Sequence, residues 1–271
     1  PQPPAVSEPR TGLSMGQHCE LMAQEWHIPR ADQDVLAYES HRKGAAAYDE
    51  GYMDDLVVPF AGVYRDNNLR PDITLEKLAS LKNAFEKSDR GTLTAGNSTP
   101  LTDGAATVLL ASEEWAKQRN LPIQAYITYG QHFANNFVGG DGLLMAPTIA
   151  VSKMLDRAGL TLQDFNFYEL HEAFAAQVLC TLKAWEDPAY CKKHMGKDAP
   201  LGSIDRSKLN VKGSSLAFGH PFAATGARIV ANLAKLLSTK GGRGLISVCT
   251  AGGMGVTAIM ESPTTIEAKA A

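Results

Sequence analysis

Residues 243–262, RGLISVCTAGGMGVTAIMES, decide how this chain folds. Two runs of β-forming residues flank a turn with glycines at 252, 253 and 255, which predicts a hairpin. The first run ends on Cys249, so a thiol stands at a strand end beside backbone that glycine leaves open to a ligand. A little upstream, residues 216–226 read LAFGHPFAATG and set His220 between Gly219 and Pro221. An imidazole and a thiol in two tight, small-residue settings raise the question of a shared task.

Outward from the hairpin, strand and helix patterns alternate. Residues 122–130, 165–170 and the hairpin read as strands; 146–159, 171–185 and 225–242 read as helices, two of them stopped by glycines. In the segment 171–185, Phe174, Val178, Leu182 and Trp185 mark one face. This alternation predicts an α/β fold with a mostly parallel sheet, right-handed crossovers and ligands at the carboxyl ends of strands. The first third differs. Residues 1–13 form a proline-rich, exposed leading segment. Residues 15–27 and 30–51 read as amphipathic helices separated by Pro29, 54–60 as a short strand, and 70–85 as a turn and a helix. Residues 106–112, ATVLLAS, look like a buried strand followed by a helix at 113–120.

Composition narrows the classes. The chain has 271 residues, 44% hydrophobic and 20% charged, with a net charge of −3, the profile of a globular protein with a real core. No basic stripe or aromatic-plus-arginine module suggests nucleic acid. No apolar run approaches a membrane span, and PQPPAVSEPRTG lacks the apolar core of a signal peptide. The cysteines, Cys19, Cys180, Cys191 and Cys249, are widely spaced, which points to neither a zinc site nor a disulfide framework and fits a reducing compartment. That compartment is the cytoplasm in a bacterium, or the mitochondrial matrix or peroxisome in a eukaryote.

Three residues stand where an α/β fold assembles chemistry: His171 in FYELHEAF, His220 in AFGHPF and Cys249 in SVCTAGG. Singly, each has an ordinary explanation. A histidine in a turn is usually a satisfied structural group, a cysteine in an apolar strand a small hydrophobe, and Glu172 a first-turn carboxylate. Together, with glycine beside His220 and after Cys249, they suggest a site with backbone amides near a thiol. Cys19 and Cys180 read as packing inside helices, and Cys191 as a surface-loop residue whose neighbouring lysines lower its pKa. His18, His27, His41, His132 and His194 show no metal-ligand spacing, and VGGDG at 138–142 is not a phosphate loop.

HEAF at 171–174, GHP at 219–221 and CTAGG at 249–253 resemble three signature segments of the thiolases, which make or cleave 3-ketoacyl-CoA. LTAGNSTPLTDGAA at 93–106 is similar to that family's exit from its loop domain, and residues 14–23 and 31–60 resemble the loop domain itself. The likeness runs from about residue 12 to 261. Many thiolases carry asparagine at His171; the histidine and the hydrophilic stretch EDPAYCKKHMGKDAPLGSIDRSK resemble the subgroup of fatty-acid oxidation and trifunctional complexes.

The resemblance implies a layered α/β/α fold. Residues 1–100 would be a loop domain covering CoA, 101–122 the last strand and helix of an N-terminal half, and 123–271 the C-terminal domain. It places the nucleophilic cysteine in that N-terminal half, which this sequence lacks, so the chain is expected to be a fragment and inactive by itself. In a two-step exchange through a thioester, His220 would activate the nucleophile and Cys249 would exchange protons with the leaving enolate and incoming CoA. That task calls for a thiol tuned from its usual pKa of about 8.5 toward neutral. His171 would hold a water that completes an oxyanion hole with His220, and the amides of Ala251 and Gly252 would serve a second hole.

Met15, Arg70, Ser98 and Thr99 match positions that touch CoA in relatives. Coenzyme A is expected as a substrate, with no permanent cofactor and no metal. The partners implied are 3-ketoacyl-CoA, a second copy of the chain in a homodimer or tetramer, and a hydratase/dehydrogenase subunit of a trifunctional complex. The competing expectations are a ketoacyl synthase, disfavoured by the cysteine at 249, and a CoA- or lipid-binding protein without catalysis.

Overall fold

The hairpin forms as its sequence requires and sits at the centre of the sheet. A computed structural model describes residues 6–270, so the first residues of the proline-rich leader lie outside the described part. Beyond them, Glu8 is buried and its carbonyl accepts the Gly12 amide at 2.8 Å, so the leader is not exposed throughout.

Four strands, β1 (Tyr126–Ala134), β2 (Phe167–Leu170), β3 (Arg243–Thr250) and β4 (Met254–Glu261), lie in the order β1-β4-β3-β2. Only β2 and β3 run parallel; β3–β4 and β1–β4 are antiparallel. The expected mostly parallel sheet is therefore corrected. The reason is the turn after Thr250: Gly252 and Gly253 take φ of 75° and 69° and reverse the chain within a few residues, which parallel neighbours cannot do. A Cβ at Gly253 would stand 2.5 Å from the Phe137 ring, so the turn needs glycine for space as well.

The helices are α1 (Met15–Glu25), α2 (Arg30–Asp49), α3 (Leu75–Ala79), α4 (Glu113–Gln118), α5 (Ala146–Ala158), α6 (Ala175–Glu186), α7 (Pro188–Tyr190), α8 (Ser215–Phe218), α9 (Thr225–Lys240) and α10 (Pro263–Ala270). Both sheet faces are covered, which makes an α/β/α sandwich. On one face Leu245 and Ile259 pack with Met154, Leu155, Val178, Leu182 and Trp185 of α5 and α6. On the other, Ile246 and Met260 meet Ile229, Leu233 and Leu237 of α9. Each such leucine removed from water contributes about 1.5–3 kcal/mol, so these two cores hold the layers together. The four residues assigned to one face of α6 are buried, but so are Ala176, Cys180 and Ala184. The helix is enclosed because α1 lies on its other side, with Cys19 and Met22 in a common core with Leu179 and Cys180.

The chain before β1 contains three departures. Residues 54–60 form turns and exposed chain instead of a strand; Val58 and Phe60 are 84% and 82% exposed. Residues 106–112 belong to no strand or helix, with Leu109 and Leu110 73% and 66% exposed, not buried. An apolar run becomes a strand only where a neighbour supplies the ladder, and no described strand lies beside either segment. The helix expected within 70–85 stops after Ala79, because Arg30 Nη2 donates to the carbonyls of Leu78, Ala79 and Leu81 at 2.9, 3.2 and 2.7 Å. Those carbonyls are satisfied without another helical turn.

Candidate active site

β2 delivers His171 to the sheet's carboxyl edge. One residue past the strand, the His171 amide donates to Ser247 O at 2.9 Å and extends the parallel ladder by a step. Cys249 lies two residues further along β3, on the same face as Ser247 because strand side chains alternate. His220 arrives on the turn between α8 and α9. Gly219 takes φ of 86°, and a Cβ there would stand 2.6 Å from Thr102 Cγ2, so only glycine makes this approach.

One extended segment stitches the two histidine loops together. Asn97 O accepts from the Ala175 amide at 2.9 Å, and the Thr99 amide donates to Ala173 O at 3.0 Å. Thr99 Oγ1 donates to Ser215 O at 2.6 Å, and Pro100 O accepts from the His220 amide at 3.0 Å. The result is a pair of adjoining imidazoles. The rings of His171 and His220 lie 4.4 Å apart between centroids, tilted by 46°.

A buried polar layer lies beneath them. His171 Nδ1 is 2.8 Å from Ser215 Oγ, which also accepts from Arg228 Nη2 at 2.8 Å. His220 Nδ1 is 2.6 Å from Thr225 Oγ1. Burial, then His220 and Arg228, hold the His171 pKa well below its ordinary value. Burial, then Arg228, lower that of His220. Both imidazoles are therefore neutral near pH 7. Glu169, which accepts from Asn232 Nδ2 at 3.0 Å, is pushed up to about 8 by burial despite Arg228. Glu172 is not a helix-dipole group: it is buried and accepts from Ser40, Asn210 and the Leu216 amide.

Cys249 is 6% exposed, and burial pushes its thiol up to about 12. Burial therefore favours the protonated thiol here, on the other side of its usual value from the tuning toward neutral that the resemblance implied. Cys191 is also corrected. It is fully buried in the π-helical turn Cys191–Met195, and burial raises its pKa in spite of nearby lysine. Cys19 and Cys180 are buried with raised pKa values, as packing residues are. Ala251 is exposed, and its backbone is free of the positive φ taken by the next two glycines, so alanine fits there. Gly252 is half-buried in the same turn.

The four residues matched to CoA contacts sit on three segments of the first 100 residues. Ser98 is buried with an unpartnered hydroxyl and bridges to Phe174, while Thr99 has its hydroxyl committed to Ser215 O. Met15 begins α1 against the core of that helix. Arg70 points its guanidinium back to Asn67 O at 2.7 Å, while its amide donates to His41 Nδ1 at 3.1 Å. A recess of about 440 Å³ lined by Glu113, Lys117, Tyr126 and Ile266 holds no histidine or thiol. Among the described residues no cluster of His, Cys, Asp or Glu is placed to hold a metal, and no helix is long and apolar enough to cross a membrane. Ser215, Thr225 and Arg228 were not singled out from the sequence. Beside His220 they read as ordinary helix-terminal and surface polar residues, and only the fold turns them inward.

The family models for the thiolase N-terminal and C-terminal domains match residues 2–114 and 124–262. A 3-ketoacyl-CoA thiolase of Vibrio cholerae is 45% identical over 269 residues, covering 96% of this chain and 61% of the relative. The crystal structure of the Bacillus anthracis acetyl-CoA acetyltransferase superposes with a TM-score of 0.78 at 34% identity, over 94% of this chain and 62% of that one. Human mitochondrial 3-ketoacyl-CoA thiolase in complex with CoA gives a TM-score of 0.78 at 31% identity, over 95% and 61%. The chain thus spans about three-fifths of the length of the relatives it matches.

Proposed function

The chain belongs to the thiolase family, and from that premise we propose that it carries the acid–base half of a 3-ketoacyl-CoA thiolase. The reaction cleaves 3-ketoacyl-CoA with CoA to acetyl-CoA and an acyl-CoA shortened by two carbons, or runs in reverse. The observation that carries this reading is the neutral His171–His220 pair at the carboxyl end of β2, with Cys249 on the neighbouring strand.

In the cleavage direction a cysteine thiolate attacks the 3-keto carbon. His220 takes that cysteine's proton, a task for which a neutral imidazole is required. The C2–C3 bond then breaks, leaving an acyl thioester on the cysteine and the enolate of acetyl-CoA. Cys249, protonated as it stands, gives the enolate carbon its proton. The resulting thiolate takes the proton of incoming CoA, whose sulfur attacks the thioester; the bond to the cysteine breaks, the shortened acyl-CoA leaves, and the cysteine thiolate recovers its proton from His220. His171 orients a water toward the developing oxyanion, and the amides of Ala251 and Gly252 serve the second one. Cys19, Cys180 and Cys191 are buried within helical segments, and none stands in the turn-to-helix setting that the family resemblance gives the attacking cysteine. We assign that role to a cysteine outside these 271 residues.

Coenzyme A is a substrate in this scheme, covered by residues 1–100, with Met15, Arg70, Ser98 and Thr99 toward it and residues 101–122 linking to the C-terminal domain at 123–271. The His171 variant of the motif favours fatty-acid degradation, in a homodimer or tetramer. The test is CoA-dependent cleavage of a 3-ketoacyl-CoA by the full-length protein that carries this chain. Absence of cleavage there, with CoA still bound, would leave the non-catalytic binding reading in its place.

A further inference from the structure

The two adjoining imidazoles meet different hydroxyls, and proton bookkeeping at those hydroxyls separates their roles. Ser215 Oγ accepts from Arg228 Nη2 at 2.8 Å, and its own single proton has one acceptor among the described hydrogen bonds, His171 Nδ1 at 2.8 Å. Thr225 Oγ1 lies 3.2 Å from Pro221 O, which also accepts the Ala224 and Thr225 amides, and 2.6 Å from His220 Nδ1; both hydroxyl contacts are made together only when its single proton goes to the carbonyl and Nδ1 carries a proton.

We infer that the adjoining imidazoles are locked in opposite neutral tautomers, His171 protonated on Nε2 through Ser215 and His220 protonated on Nδ1 through Thr225. Arg228 and Ser215 are then positioning residues for His171, and Thr225 and the Pro221 carbonyl for His220. The tautomers are those that let every one of these hydrogen bonds form at once. Their use rests on the thiolase reading: His171 presents an N–H to hold a water by its oxygen, while His220 presents a bare Nε2 to take a proton. One tautomer shared by both rings would give two donors or two acceptors.

The inward-facing Arg228 supports the arrangement. Its guanidinium is buried, feels the charges of Glu169, Glu172 and Asp66, and disfavours a second cation at either ring. The lowered pKa values agree with both rings being neutral, the state in which a tautomer is defined.

The test needs no turnover, so its failure is distinct from failure of the thiolase assay. The chain is labelled with 15N-histidine, and long-range proton–nitrogen correlations are read at pH 8, with His171→Asn and His220→Asn assigning the signals. In the wild type, Nε2 of His171 and Nδ1 of His220 are expected to show protonated-type nitrogen shifts, and the other nitrogen of each ring the unprotonated type. Thr225→Val is expected to move the proton of His220 to Nε2 without changing His171, and Thr225→Ser to restore the wild-type pattern. Ser215→Ala is expected to mix the tautomers of His171. The same tautomer at both rings in the wild type, or an unchanged His220 in a folded Thr225→Val, overturns the inference. If the variants do not fold, the wild-type spectrum decides it alone.

Discussion

Ser40 Oγ donates to Glu172 Oε2 at 2.6 Å, tying the middle of α2 to the loop that carries His171. The same carboxyl accepts from Asn210 Nδ2 at 2.7 Å and from the Leu216 amide at 3.2 Å, four residues before His220. One buried side chain therefore fixes the helical first third and both histidine loops relative to each other. Glu172→Ala leaves three buried donors without an acceptor. It is expected to lower the unfolding free energy by about 3 kcal/mol or more, read as a drop in the urea midpoint. A loss below about 1 kcal/mol would remove Glu172 from that role.

Gly213 makes the same junction on the backbone. Its φ is 81°, and a Cβ would stand 2.7 Å from Ser40 O and 2.8 Å from Gly44 N. Neither atom can give way without moving α2. Gly213→Ala should cost about 2–4 kcal/mol, the sum of overpacking and left-handed backbone strain. Gly159, with φ of 63° and nothing within 4 Å of its Cβ position, supplies the control. Gly159→Ala should cost only the strain, about 1–2 kcal/mol. Equal melting temperatures for the two variants would contradict this account.

His41 carries an acid sensitivity of known sign. Burial first, and then the charge of Arg70, lower its pKa to about 4. Between pH 6.5 and 4 the unfolded chain binds a proton at His41 that the folded chain refuses, so stability rises with pH across that window and is lost as pH falls through it. The contribution is of order 2–3 kcal/mol. Glu169 slopes the other way, its raised carboxyl losing stability as pH climbs toward 8. His41→Asn should make the acid limb of a stability–pH curve shallower between pH 6.5 and 4, leaving the part that His171 and His220 contribute. An unchanged limb would show that His41 is not the source.

The C-terminal elements were legible in the sequence because their signals are local. Gly159 and Gly241 end their helices, and the turn at 252–253 makes its hairpin, whatever surrounds them. Strand direction was not legible: the alternation of patterns is the same whether β1 pairs parallel or antiparallel, and only the pairing with β4 decides it. Residues 106–112 show the same limit, since ATVLLAS has strand chemistry but no described strand beside it. His171, His220 and Cys249 could be picked out because glycines and element boundaries mark them. Ser215, Thr225 and Arg228 could not, because a hydroxyl facing an imidazole has the same letter as one facing water. Cys191 misled for the same reason: its lysine neighbours predicted exposure, and the π-helical turn buries it.

The central claim is that His220 and Cys249 move protons in one acyl-transfer site. Its most direct measurement is the rate of 3-ketoacyl-CoA cleavage by the full-length protein, compared with His220→Ala and Cys249→Ala, alongside CoA binding by each. Removing a positioned acid or base should lower kcat/KM by roughly 10²–10⁴-fold in either variant while CoA binding stays at the wild-type level. Wild-type cleavage rates in both variants would contradict the account.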